Sequence, residues 1–162
     1  MTLALGIDPG TATTGYGLVR LLSDGGLVAV SFGILSTPKE ATPSARLAML
    51  YDQLRKLLTE HKPDTAAVEK LFFSRNVTTA LAVGQARGVV LLSLEQAGID
   101  VFEYTPNEVK QAVAGYGSAE KKQVQEMVRA LLQLTSIPRP DDAADALAIA
   151  ITHLHTKRYD QE

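Results

Sequence analysis

The sequence predicts an α/β domain built on a five-stranded mixed sheet flanked by helices, and three observations predict it. The first third reads as three consecutive strands. The remainder alternates short apolar runs with segments of helical periodicity. Two of those helical segments are too apolar to stand with one face in water, so something must cover them. The 162 residues suit a single domain, 1–162, whose last few residues are expected to form a loose tail. With 46% hydrophobic and 21% charged residues, the composition excludes a disordered chain.

Each element has its own local reason. Leu3 to Ile7 is a short apolar run that stops at Asp8-Pro9-Gly10, a strong turn signal. Tyr16 to Leu22 and Leu27 to Leu35 follow, joined by Ser23-Asp24-Gly25-Gly26, a compact hairpin connection. These three runs suggest an antiparallel meander. Thr42 before Pro43 reads as an N-cap and first helical residue, opening a helix over 43–61 in which Leu47, Leu50, Leu54, Leu57 and Leu58 recur at helical spacing. Thr65 to Val68 is a short strand ending at Glu69, and 77–97 is a long helix. A strand from Ile99 to Tyr104 comes next, and Thr105-Pro106-Asn107-Glu108 matches a capping box. Two more helices are expected near 118–133 and 142–156, with Asp141 as the N-cap of the last.

Composition narrows the chemistry. The absence of cysteine removes disulfides, thiolate metal sites and thiol catalysis together, and a reducing, cytoplasmic location fits. No apolar run approaches the ~18–20 residues of a membrane span, and Met1 to Asp8 lacks the basic segment and length of a signal peptide. A formal net charge of −2 does not by itself favour nucleic acid, because phosphate binding wants a basic surface. Local placement of charge has to decide.

Four carboxylates stand where carboxylates are costly. Asp8 ends the first strand, Glu69 ends the fourth, and Asp142 and Asp145 open the last helix. Singly, three of them have ordinary readings: Asp8 as a turn initiator, Glu69 as an exposed strand end, Asp142 as an anion in a first helical turn. Asp145 is the only polar residue between Ala143 and Ile151, on a helix apolar nearly all round, where an ionised carboxylate costs several kcal/mol unless neutralised. Asp142 lies one turn earlier on the same face. Two carboxylates aimed at one spot repel unless a cation holds them. All-oxygen ligands without Cys, or a convincing His set among His61, His153 and His155, select Mg²⁺ or Mn²⁺ over Zn²⁺. A set of this kind suits two-metal phosphodiester hydrolysis, with two Mg²⁺ ions ~3.5–4 Å apart and Mn²⁺ as a plausible substitute. Setting aside these four charges moves the formal net charge from −2 to +2, which permits nucleic-acid binding without demanding it.

Four stretches then carry a resemblance. They are Gly-Ile-Asp-Pro-Gly at 6–10 with Thr14-Gly15-Tyr16-Gly17; Val68-Glu69 with Phe72, Arg75 and Asn76; Asn107-Glu108-Val109-Lys110 with the Gly115 to Lys121 segment; and Asp142-Ala143-Ala144-Asp145-Ala146-Leu147-Ala148. In this order and at these separations the chain resembles, from end to end, the RuvC family of bacterial Holliday-junction resolvases. The resemblance implies a ribonuclease-H-like fold, a homodimer, and Mg²⁺-dependent paired nicking of four-way DNA junctions in recombination and repair. It also implies handover of the junction from a RuvA–RuvB branch-migration complex. By position it implies metal ligation and catalysis by Asp8, Glu69, Asp142 and Asp145, phosphate contact or transition-state support by Lys110 and Lys121, and junction-core contact by Phe72.

Other residues speak for themselves. Phe72 and Phe73 are adjacent just beyond the expected strand end, followed by Ser74, Arg75 and Asn76. One or both aromatics could be core, or Phe72 could wedge against bases while Arg75 meets phosphate, base–aromatic stacking being worth ~1–3 kcal/mol per base. Lys110, Lys121, Lys122 and Arg129 are interleaved with Glu108, Glu120 and Glu126, which also reads as a solvated helix surface. In the 77–97 helix, Ala80, Gly84 and Gly88 recur every four residues, so this helix is either buried in its own domain or half-covered by a two-fold partner. Three rival functions remain at this point. Asp8-Pro9-Gly10-Thr11 also looks like the phosphate loop of sugar-kinase and actin-like ATPases, though 162 residues supply only one of the two domains such enzymes need. A junction-binding scaffold would lack a carboxylate, and none is missing. A related nuclease could act on RNA–DNA hybrids or transposon ends.

Overall fold

The computed structural model describes residues 1–10, 12–70 and 76–160, the side chains of 158–160 excepted; Phe72, Phe73 and Arg75 lie outside the described residues. In chain order the elements are β1 (Thr2–Asp8), β2 (Thr13–Leu21), β3 (Leu27–Ser36), α1 (Pro43–His61), β4 (Thr65–Glu69), α2 (Val77–Gln96), β5 (Val101–Tyr104), α3 (Pro106–Ala114), α4 (Lys121–Leu131) and α5 (Asp141–Asp160). The strands form one mixed sheet in the order β3-β2-β1-β4-β5. β1, β2 and β3 pair antiparallel, as the meander required, while β4 runs parallel to β1 and β5 parallel to β4.

Local chemistry sets most boundaries. Thr42 accepts from the Ala45 N–H at 3.2 Å and Pro43 opens α1. The expected capping box forms reciprocally: the Glu108 N–H donates to Thr105 Oγ1 at 3.1 Å, and the Thr105 N–H donates to Glu108 Oε1 at 3.3 Å. α5 differs by one residue from expectation. Its first turn closes on the Pro140 carbonyl, which accepts from Ala143 N–H at 2.9 Å, so Asp141 is the first helical residue and not the cap.

Strand alternation sorts side chains between two cores. Leu3, Leu5, Ile7, Ala66 and Val68 face α1 and α2, packing on Leu54, Val90 and Leu94. Ala4, Ala67 and Tyr104 face the other way, against α3, α4 and α5. Continuing the alternation, Asp8 and Glu69 emerge on the α5 side. α5 is the central helix of that layer, with Ala143, Ala146, Leu147, Ala150 and Ile151 all buried, as its composition required.

Of the two readings of the 77–97 helix, full burial within its own domain is the one the fold does not show. By length and composition alone α2 would pass for a membrane span, and only 28% of its most apolar stretch is buried. Its inner face sits in the first core through Ala86, Val90 and Leu94, and mid-helix Arg87 pairs with Glu103 of β5. Leu81, Leu92 and Val77 stay exposed. The helix is therefore half-buried in its domain, with an uncovered apolar face.

Candidate active site

Parallel pairing of β1 with β4 aligns Ile7 with Val68, which sets Asp8 and Glu69 side by side at the carboxyl ends of adjacent strands. The first turn of α5 then lies directly on the β1–β2 ribbon. Two glycines permit this approach: a Cβ on Gly15 would stand 2.0 Å from the Asp142 carbonyl oxygen, and one on Gly6 would stand 2.0 Å from that of Ala146. Only hydrogen fits there. One carboxylate oxygen each from Asp8, Asp142 and Asp145 consequently falls within 4.8 Å of the others.

Glu69 stands beside this trio. It shares a cavity wall with Asp8 and acts electrostatically on it, while Asp145 acts on Glu69. The electrostatics record crowding. Burial, then Asp145, Glu69 and Asp142, push the Asp8 carboxyl up to about 8, against a partial pull from Lys121. Glu69 is raised by burial and by Asp145, opposed by Lys110, and Asp145 is raised chiefly by burial, opposed by Lys121. Crowding of this kind favours the neutral carboxyl at Asp8 until positive charge enters the cluster.

Several neighbours steady it. Thr13 Oγ1 donates to Asp142 Oδ2 at 2.7 Å. Lys121, the first residue of α4, places Nζ 3.2 Å from Asp141 Oδ2 and 3.9 Å from Asp145 Oδ2. Asp145 raises the ammonium's pKa, and the lysine's hydrogen bond lowers that of Asp141. Behind the site, His153 ties α5 to both parallel strands: Nε2 meets Thr65 Oγ1 and Nδ1 meets Tyr104 OH, each at 2.7 Å. Burial depresses its pKa to about 4, so the imidazole is neutral and structural.

The structure thus gathers Asp8, Asp142 and Asp145, with Glu69 alongside, Lys121 at the rim and Lys110 within electrostatic reach of Glu69. Lys122 is exposed on α4 next to Lys121. Asn76 caps α2, accepting from the Thr79 N–H at 3.3 Å, and Arg129 bonds Glu126 at 3.0 Å. Sequence reasoning missed Thr13 and Asp141. Neither carries a local signal, since Thr13 meets a residue 129 positions away. The donor set is all oxygen, partly buried and short of positive charge, and it fits a hard divalent cation.

A five-stranded mixed sheet in this order, with strand-end and helix carboxylates converging on one face, defines a ribonuclease-H-like protein with an acidic centre able to hold metal. The family model of crossover junction endodeoxyribonuclease RuvC matches residues 4–153, and the chain belongs to that family. It is 62% identical over 154 residues to the crossover junction endodeoxyribonuclease RuvC of Chloroflexus aggregans, across 94% of this chain and 93% of that protein. A solved structure of Thermus thermophilus RuvC in complex with Holliday junction substrate superposes with a TM-score of 0.94 at 36% identity, covering 99% of this chain and 97% of the other. The yeast mitochondrial Holliday junction resolvase Ydc2 shares the fold at a TM-score of 0.70 and 16% identity, over 98% of this chain and 83% of its own.

Proposed function

We propose that this chain is a structure-selective endonuclease that resolves four-way DNA junctions by paired, symmetric phosphodiester hydrolysis, leaving 5′-phosphate and 3′-hydroxyl ends, in recombination and repair. The observation that carries the reading is the convergence of Asp8, Asp142 and Asp145 within 4.8 Å, with Glu69 beside them. Those four residues would hold two Mg²⁺ ions, with Mn²⁺ as a substitute. Bound there, the ions supply a water acidic enough to ionise near neutrality and a Lewis acid for the leaving 3′ oxygen.

The chain's own groups do the rest. Thr13 fixes the rotamer of Asp142, so that carboxylate is oriented before any ligand arrives. Lys121, parked against Asp141 and Asp145, is positioned to move onto a phosphate oxygen when DNA enters, and Lys110 supplies a second positive charge beyond Glu69. Lys122 extends this basic rim. Phe72, with Phe73, Arg75 and Asn76, comes shortly after the end of β4 in sequence, suiting contact with the junction core.

The uncovered apolar face of α2, with Leu81 65% exposed and Leu92 51% exposed, supports a homodimer in which two such helices meet. A two-fold axis would give two sites for two symmetrically placed strands. The chain would act in the cytoplasm, without a membrane, on junctions passed from a RuvA–RuvB branch-migration complex. The test is cleavage of a four-way junction, an RNA–DNA hybrid and a linear duplex, with and without Mg²⁺. Symmetric nicks confined to the junction and dependent on the metal are expected. Preference for the hybrid or the duplex would overturn the reading.

A further inference from the structure

A cavity of about 260 Å³ opens at the carboxyl ends of β1 and β4, and its walls differ in character. Asp8 and Glu69 line it, as do Lys70 and, from α2, Val83 and Arg87. Lys70 is exposed, and its backbone N–H is held by the Tyr104 carbonyl at 2.8 Å, which fixes where its side chain departs. Arg87 is different: its side chain is only 12% exposed.

One arm of the Arg87 guanidinium, Nη2, is taken by Glu103. The other nitrogen, Nη1, is buried and has no hydrogen-bond partner, the one side-chain nitrogen or oxygen among the described residues in that state. An orphaned buried donor costs about 1–3 kcal/mol, more when it is charged. Folding does not require it, since an apolar residue would suit the inner face of a helix as apolar as α2. A guanidinium anchored by Glu103, with a charged donor left unmet, on a residue that lines a cavity reaching the carboxylate cluster, is placed for an anionic oxygen ligand.

We propose that this cavity is a phosphate subsite for the strand being cut, in which Arg87 and Lys70 take the non-bridging oxygens of a phosphodiester adjacent to the one at the carboxylates. The assignment rests on the nuclease reading above and adds to it a second anchoring point, on the face of the sheet opposite α5. Glu103 is the positioning residue, anchoring the guanidinium where Arg87 lines the cavity. The carboxylate wall repels free anions, so the subsite favours a phosphate that arrives tethered to the scissile strand.

The test is a coupling cycle. Four-way junctions carrying one neutral methylphosphonate at each successive phosphate flanking the nick are titrated with wild type, Arg87→Gln and Lys70→Ala in chelator-containing buffer. Wild type should lose about tenfold in affinity at one flanking position, each variant should lose about tenfold on the unmodified junction, and the modification at that position should cost the variants nothing further. Losses that multiply to about a hundredfold at every position, or variants that bind the unmodified junction as wild type does, would overturn the subsite. Should Arg87→Gln fail to fold, Lys70→Ala, an exposed substitution, decides alone. Wild-type protein that cuts a hybrid or a duplex but ignores junctions would instead overturn the nuclease reading, a result distinct from either of these.

Discussion

Gly15→Ala perturbs the site without touching a carboxylate. The new methyl carbon would lie 2.0 Å from the Asp142 carbonyl oxygen, 2.5 Å from its carbon and 3.0 Å from its Cβ. Ordinary contact begins near 3.4 Å, so the start of α5 or the β2 backbone must retreat by about 1.4 Å. Overpacking of this kind costs roughly 1–3 kcal/mol, within the margin of a domain this size, so the variant should fold with a melting temperature lowered by about 3–10 °C. The functional loss should be far larger in proportion. Metal–ligand distances tolerate about ±0.2 Å, and a displacement several times greater would separate Asp142 and Asp145 from Asp8. Calorimetric melting with parallel Mg²⁺ titration and junction cleavage would read both effects. A Gly15→Ala protein that melts, binds metal and cuts as the parent does would refute the claim that this contact sets the cluster.

Three further outcomes follow from the same geometry. Asp8→Asn should abolish cleavage yet stabilise the chelator-treated protein at pH 9 by up to about 5 kcal/mol in urea unfolding. Because the folded value, about 8, lies above the ordinary 3.8, wild-type stability from this group is complete below 3.8 and lost as pH rises through 8, so the gain should vanish near pH 4; a gain that does not change with pH would contradict this. His153 has the opposite sign. Its folded value of about 4 lies below 6.5, so its contribution is present above 6.5 and lost on acidification. The parent should shed about 3 kcal/mol relative to His153→Gln between pH 6.5 and 4, and parallel pH profiles would exclude the buried neutral imidazole. Leu81→Glu, on the exposed face of α2, should leave the melting temperature of dilute protein nearly unchanged and halve the mass seen by sedimentation; an unaltered mass would remove α2 from the interface.

Much of this was legible in sequence because its causes are local. The Thr42-Pro43 start of α1, the Thr105–Glu108 capping box and the meander with its Ser23 to Gly26 turn depend on neighbours in the chain. Asp145 betrayed itself for the same reason, as a lone charge in an otherwise apolar helix. What stayed hidden depends on contacts across the fold. Gly6 and Gly15 belonged to a recognisable motif, but that each exists to admit the α5 backbone emerges only when the helix lies on the strands. Thr13 and Asp141 gain their roles from Asp142 and Lys121, partners that periodicity does not reveal. In sequence His153 is one of three histidines that make no convincing ligand set, and only the folded chain shows its buried structural bridge between Thr65 and Tyr104. The sequence left open whether α2 is buried within its own domain or half-covered by a partner, and its half-buried state depends on contacts from other elements. Arg87 interrupts the run in sequence, yet its charge is answered by Glu103 from another element.

Divalent-cation uptake by the crowded carboxylates is the property on which the proposed chemistry depends most directly. Titration calorimetry of the folded protein with Mg²⁺ and then Mn²⁺, alone and with a four-way junction, should give a saturable heat that Asp145→Asn lacks. At about 100 times the dissociation constant, the bound state should be stabilised by about 2.7 kcal/mol against unfolding. No heat and no stabilisation, even with the junction present, would contradict it.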